Sequence, residues 1–103
     1  SEAKETRKRR EIKMEKTVKE VTVSDATTKG KILTLASEGY FNKEWRKAGE
    51  VIQKLAEVGW TLNANVVMME LAKLSKEGIL GRKKEQNQWV YHLAPNVTFN
   101  GKG

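Results

Sequence analysis

Residues 71–82 read LAKLSKEGILGR, and they carry the strongest indication of fold in the chain. They complete an apolar stripe whose spacing, i, i+3, i+7, i+10, is that of one helical face, formed by Ala64, Val67, Leu71 and Leu74. Gly78 is a typical residue just past a helix end. The sequence therefore predicts a helix over residues 63–77, with Gly78 as its stop.

Two β-strands are predicted after this helix, over residues 79–85 and 88–93. Their period-two pattern places one set of side chains on a single face, namely Trp89, Tyr91 and Leu93. The first strand carries three consecutive cations, Arg82, Lys83 and Lys84. A hairpin whose apolar base packs on helices and whose tip is basic is suited to lie along a phosphate backbone.

Two further helices are predicted upstream. Capping residues near Ser24 and Thr27 and a stop at Gly39 indicate a helix over residues 26–38. A second helix, capped by Asn42 and stopped by Gly59, has a buried stripe of Ala48, Val51, Ile52 and Leu55. Residues 17–23 fit two patterns, because Met14, Val18 and Val21 match one helical face whereas Val21 and Val23 alternate as in a strand. The β-branched residues favour a short edge strand over residues 20–23.

The composition indicates a polyanionic partner. Across 103 residues there are 20 Lys and Arg against 13 Asp and Glu, a net charge of +7. Such a balance favours nucleic acid over an acidic membrane surface. The sequence contains no Cys and one His, so it shows no zinc-finger pattern, no thiol nucleophile and no nucleophile–base pair. We expect no enzyme activity, no catalytic or metal-binding residues, no cofactor and no membrane association.

Residues 49–94, GEVIQKLAEVGWTLNANVVMMELAKLSKEGILGRKKEQNQWVYHLA, resemble the winged helix-turn-helix superfamily. The most specific part is residues 71–82, which match the L-x-x-L-x-x-x-G-x-L-x-R ending of a recognition helix and first wing strand. The sequence looks most like small regulators of archaea, their plasmids or viruses. The resemblance implies an α+β fold in which three helices precede a two-stranded β-hairpin wing.

In this superfamily the third helix usually reads the major groove and the wing touches the backbone or minor groove. The resemblance thus implies reading by the helix over residues 63–77, through Asn63, Asn65, Val66, Met69 and Lys73. Asn can pair with adenine, and Val or Met can meet a thymine methyl, while Lys73 is better placed for a phosphate. The wing, residues 79–93, would contact DNA through Arg82, Lys83, Lys84, Gln86, Asn87 and Gln88. Helix 2 would hold phosphates with Arg46 and Lys47.

Three segments are expected in the chain: a basic, disordered arm over residues 1–19, the winged-helix domain over 20–94 and a flexible tail over 95–103. The arm would attract DNA through Arg7, Lys8, Arg9 and Arg10. The aromatic side chains are expected mainly in the core, including Trp45 and Trp89. Met68 is expected to face near the core.

The function expected is double-stranded DNA binding, by a transcriptional regulator or a chromosome or plasmid DNA-binding factor. A homodimer would suit this function, because one small module reads few base pairs. The alternative is a protein-interaction or RNA-binding winged helix within a larger protein. The predicted reading face has no Arg in its first turn and exposes Val66 and Met69, which could contact a protein partner. The expected location is the cytoplasm, at the nucleoid, or the nucleus of a eukaryotic cell.

Overall fold

The computed structural model describes residues 18–100, and these form three helices and five strands. In chain order the elements are β1 (Lys19–Thr22), α1 (Thr28–Ser37), β2 (Arg46–Lys47), α2 (Ala48–Glu57), α3 (Ala64–Lys76), β3 (Leu80–Glu85), β4 (Gln88–Leu93) and β5 (Val97–Asn100). The described chain therefore has the α+β class, with three helices followed by a β-hairpin, that the sequence predicts.

The helix ends follow from local sequence signals. The Oγ1 atom of Thr27 accepts a hydrogen bond from the main-chain nitrogen of Gly30 at 3.0 Å, which caps the start of α1. Each helix is followed by a glycine in the left-handed region, with φ of 92° at Gly39, 105° at Gly59 and 82° at Gly78. The three predicted helix stops are thus confirmed.

Helix α2 begins later than expected, and Asn42 does not cap it. Arg46 and Lys47 are instead extended, because they pair with Tyr91 and Val90 of β4. The main-chain nitrogen of Lys47 then donates to the Glu50 carboxylate at 2.8 Å. The Glu50 carboxylate in the first turn therefore accepts from a main-chain N–H group at the start of α2, a capping role that was predicted for Asn42.

The core lies between the helices and one face of the hairpin. The predicted apolar stripe of α3 is confirmed at three positions, since Val67, Leu71 and Leu74 are fully buried. Ala64, the first member of that stripe, is exposed. Tyr91 of β4 is also buried and belongs to the same cluster, which joins the hairpin base to the helices.

Strands β2, β4 and β3 form an antiparallel sheet in that order. The β3–β4 hairpin turns through Gln86 and Asn87, whose φ angles are 52° and 67°. Two consecutive positive φ angles are those of a type I′ turn, which matches the twist of the flanking strands. The turn therefore lies within the loop that the sequence predicts between residues 85 and 88.

Strands β1 and β5 form a separate parallel pair, with Lys19 beside Val97 and Thr22 beside Asn100. Residues 97–100 were expected to belong to a flexible tail, and this is corrected by the pairing. Val97 and Phe99 pack against the core, and β1 supplies the main-chain partner that a lone strand lacks. Most of the expected basic arm, residues 1–17, and residues 101–103 lie outside the described part of the chain.

Candidate nucleic-acid interface

Helix α3 is held by its buried stripe and presents its opposite face to solvent. The Oδ1 atom of Asn63 accepts hydrogen bonds from the main-chain nitrogens of Asn65, at 2.8 Å, and Val66, at 3.3 Å. The side-chain oxygen of Asn63 thus caps α3, and its side-chain amide nitrogen is left for another partner. This capping role was not expected from the sequence.

The exposed side chains of α3 include the four other residues expected to read DNA, which are Asn65, Val66, Met69 and Lys73. Met69 is 61% exposed and Val66 is 44% exposed. Met68, expected near the core, is 48% exposed. The reason is geometric, since Met68 lies about 100° around the helix from the buried Val67. The exposed apolar surface of α3 therefore includes Met68 in addition to the predicted Val66 and Met69.

The hairpin separates its three cations between its two faces. Arg82 lies beside Tyr91 and Lys84 beside Trp89, whereas Lys83 lies beside Val90. Because side chains alternate along a strand, Arg82 and Lys84 share the face of Tyr91, which packs on the helices. Lys83 is on the opposite face. All three cations were expected to contact the DNA backbone, and the hairpin places Lys83 on a different face from the other two.

Trp89 is the centre of the cationic cluster on the helix-facing side of the hairpin. The Arg82 guanidinium lies 4.1 Å from the centroid of its ring and the Lys84 ammonium 5.0 Å. The side chain of Trp89 was expected in the core, but it is 40% exposed. Trp89 lies next to the hairpin turn, where residues 82–89 are all exposed, and its ring contacts the two cations instead of the core.

The outer face of the hairpin carries a second aromatic group, Trp45. Its ring lies 4.5 Å from the Lys83 ammonium and 5.1 Å from the His92 ring. Lys83 also lies 3.8 Å from a carboxylate oxygen of Glu85. Trp45 was likewise expected in the core but is 37% exposed. Trp45 precedes the edge strand β2, and its contacts with Lys83 and His92 place it over the outer face.

A groove of about 420 Å³ runs between the C-terminal half of α3 and the beginning of β3. Three of its lining residues are cationic, which are Lys73, Lys76 and Arg82. Lys76 was not among the predicted site residues, because the sequence showed only that it is far from the first turn of α3. Its closeness to Arg82 arises from the return of the chain along α3.

Arg46 and Lys47, expected to hold phosphates, have different surroundings. The Nε atom of Arg46 donates to the main-chain oxygen of Tyr40 at 2.9 Å, and its guanidinium lies 4.1 Å from the centroid of the Tyr40 ring. It also pairs with Glu44 at 3.5 Å. Arg46 is therefore engaged within the fold, whereas Lys47 is exposed.

The remaining predicted site residues are at the hairpin tip and in the arm. Gln86, Asn87 and Gln88 are exposed. The arm residues Arg7, Lys8, Arg9 and Arg10 lie outside the described chain. Between residues 18 and 100 there is no group of three or more His, Cys, Asp or Glu side chains that could hold a metal ion. That same part of the chain has no helix long and apolar enough to cross a membrane.

Tyr40 is partly buried in the segment that follows α1. Burial raises the pKa of Tyr40 above its usual value of 10.0, and the positive charge of Arg46 opposes that shift. The Tyr40 hydroxyl donates to the main-chain oxygen of Glu50 at 3.0 Å. Tyr40 lies in the segment between α1 and β2 and does not line the groove, so we give it a structural role.

Comparison with solved structures supports a winged-helix-like fold. The ferric uptake regulator of Vibrio cholerae, whose structure shows a rearrangement of DNA-binding domains, matches with a TM-score of 0.59 and 21% identity, over 69% of this chain and 53% of the regulator. The iron-containing ferric uptake regulator of Francisella tularensis matches with a TM-score of 0.60 and 25% identity, over 77% of this chain and 59% of the regulator.

This chain thus spans between half and three fifths of the length of each regulator. The narrower resemblance to archaeal, plasmid or viral regulators gets no support from these two proteins. No protein-family model and no curated protein sequence matches the chain.

Proposed function

We propose that this domain binds double-stranded DNA as the DNA-binding part of a transcriptional regulator. The observation that carries the proposal is the groove between α3 and β3, because cations from both elements line it. A helix in a major groove and a hairpin beside it would have one sugar–phosphate strand between them. The winged-helix-like fold and the net charge of +7 support the same function.

In this proposal α3 enters the major groove with the face that includes Asn65, Val66 and Met69. Asn65 can pair with adenine, and the two apolar side chains can meet thymine methyl groups. Arg82 and Lys84 contact the backbone from the hairpin, with Gln86, Asn87 and Gln88 at its tip. Lys73 contributes from α3 and Lys47 from the start of α2. The basic arm, residues 1–19, adds attraction that does not depend on sequence.

A homodimer belongs to the same proposal, since two copies of a small module would read a longer site. We place its interface on α1 or on residues 14–23. Sedimentation on a duplex with two half-sites tests this, and a monomer both free and on DNA would exclude it. The proposed activity belongs in the cytoplasm, at the nucleoid.

The experiment that tests DNA binding is fluorescence anisotropy with a mixed-sequence duplex across a salt series. Wild type should lose affinity steeply, because each neutralised phosphate releases counterions. The double variant Arg82→Ala/Lys84→Ala should flatten the slope of log affinity against log salt by about two. Lys43→Ala/Lys54→Ala removes the same charge elsewhere and should leave the slope unchanged. Wild type that does not bind at low salt would contradict the proposal.

A second candidate function, a protein contact, is favoured by three exposed apolar side chains on α3, which are Val66, Met68 and Met69. An exposed apolar patch of this kind can mark a protein-binding surface. An RNA partner would use the same cations, so competition between the duplex and a structured RNA at one salt concentration distinguishes the two nucleic acids. The RNA-binding alternative is favoured if the RNA competes better.

A further inference from the structure

We infer that Trp89 is a positioning residue that prepares Arg82 and Lys84 for a phosphate strand in the groove between α3 and β3, and that Lys83 lies outside this site. The inference rests on the proposed DNA binding. Trp89 and Lys76 are added to the residues predicted from the sequence. Lys83, which was predicted to contact DNA, is removed from them.

The cations around the groove have no carboxylate partner in the described part of the chain. Lys29, Arg46, Lys54 and Lys83 each pair with a carboxylate. Within residues 18–100 no carboxylate lies within ion-pair distance of the four cations at the groove and on Trp89, which are Lys73, Lys76, Arg82 and Lys84. Four like charges near one another repel, and a polyanion between them removes that repulsion. The site therefore favours a phosphate strand over a neutral ligand.

The Trp89 ring restrains two of these cations. Arg82 and Lys84 both contact it, at 4.1 and 5.0 Å from the ring centroid. Free long side chains lose rotamer entropy when they bind, and side chains already held on a ring lose less. The ring attracts both cations through its electron-rich face. Trp89 thus lowers the entropic cost of using two cations at once.

The groove brings the cations on the Trp89 ring together with those on α3. Arg82 both contacts Trp89 and lines the groove with Lys73 and Lys76. Arg82 therefore links Lys84, which also contacts the ring, to the two lysines of α3. Gly81, which precedes Arg82 in β3, also lines the groove. The four cations form one continuous track from α3 to the hairpin.

Lys83 does not belong to this track. Its side chain is on the other face of the hairpin, over Trp45, and has a carboxylate partner in Glu85. A duplex seated against α3 and the helix-facing side of the hairpin does not reach that ammonium directly. Lys83 and Lys84 are adjacent, exposed and equally charged, so they provide a matched pair for a test.

The test measures the affinity of the full chain for a mixed-sequence duplex by anisotropy, at several salt concentrations. Lys84→Ala and Lys76→Ala should each flatten the slope of log affinity against log salt by about one, whereas Lys83→Ala should leave it unchanged. Trp89→Ala should weaken binding about fivefold, and Trp89→Phe, which keeps an aromatic face, should restore most of that loss. Trp45→Ala is the control for loss of an exposed Trp, and it should bind as wild type does.

The possible outcomes separate the two proposals. Wild type that fails to bind any duplex overturns the DNA-binding function. Wild type that binds while Lys83→Ala and Lys84→Ala lose the same slope overturns only the assignment of the site, as does Trp89→Ala that binds like wild type. Circular dichroism checks that each variant is folded. If Trp89→Ala is unfolded, the comparison of Lys83→Ala with Lys84→Ala still tests which face of the hairpin binds DNA, because neither lysine is in the core.

Discussion

The side-chain nitrogen of Lys19 lies 2.6 Å from the main-chain oxygen of Glu77, so that β1 is joined to the C-terminal end of α3. The last carbonyl groups of a helix have no partner within the helix and carry a partial negative charge. Lys29 of α1 adds an ion pair to the Glu77 carboxylate at 3.2 Å. Two elements other than the hairpin therefore fix the end of the helix that is proposed to read DNA.

Replacing Lys19 by Met should lower the free energy of unfolding by about 1 kcal/mol, because the helix end loses a charged donor. The matched control is Lys43→Met, since Lys43 is exposed and forms no hydrogen bond or ion pair within residues 18–100. Urea unfolding measures both. Equal stabilities for the two variants would show that the Lys19 contact contributes nothing.

Two glycines should respond in opposite directions to alanine. A Cβ atom on Gly30 would lie 1.4 Å from the main-chain oxygen of Ser24, whereas one on Gly49 would meet nothing within 4 Å. Gly30→Ala should therefore cost more than about 2 kcal/mol, because the backbone must move. Gly49→Ala, inside α2, should gain about 0.4–1 kcal/mol. Thermal unfolding of both variants checks this, and a folded Gly30→Ala with the wild-type midpoint would contradict it.

Stability should fall at alkaline pH through Tyr40. The pKa of Tyr40 is raised in the folded chain, mainly because burial disfavours the phenolate. A group with a higher pKa folded than unfolded stabilises the fold below its unfolded pKa, and that contribution is lost as pH rises through the folded pKa.

The free energy of unfolding should thus decline from about pH 9 upward, near and above the unfolded pKa of a tyrosine. Tyr40→Phe should show a smaller decline, although it also loses the hydrogen bond to Glu50 at every pH. Urea unfolding at several pH values gives both curves. Parallel curves would mean that Tyr40 is not responsible.

The exposed face of α3 can be tested with charge. Met69→Glu places a carboxylate where DNA is proposed to lie, and it should weaken duplex binding at least about tenfold. Met69→Gln has a similar size without charge and should bind within a few-fold of wild type. If Met69→Glu keeps its DNA affinity but loses a protein captured by wild type, the protein-contact function is favoured.

The local parts of the fold were predictable from sequence. Gly39, Gly59 and Gly78 ended the three helices because left-handed φ angles strongly favour glycine. The buried residues of α3 followed from helical spacing, and Tyr91 followed from strand alternation. Each of these signals lies within a few neighbouring residues, where backbone geometry alone decides the outcome.

The missed features depend on residues that are distant in sequence. β5 requires β1 as its partner, and no local pattern shows a pairing between Lys19 and Val97. The exposure of Trp89 depends on how far the hairpin extends beyond the helices. The closeness of Lys76 to Arg82 depends on the path of the chain after α3. The charge of the site was therefore predictable, and strand alternation alone separates Lys83 from Arg82 and Lys84. The parts played by Trp89 and Lys76 were not predictable.

The parallel pairing of β1 and β5 also determines how the domain would respond to force. Because the two strands run in the same direction, Lys19 and Asn100 lie at opposite ends of the paired segment. Tension applied between these two residues would pull the strands past each other and load their hydrogen bonds together, rather than opening them one after another. The strand pair would thus act as a mechanical clamp, resisting extension of the chain between its first and last described strands.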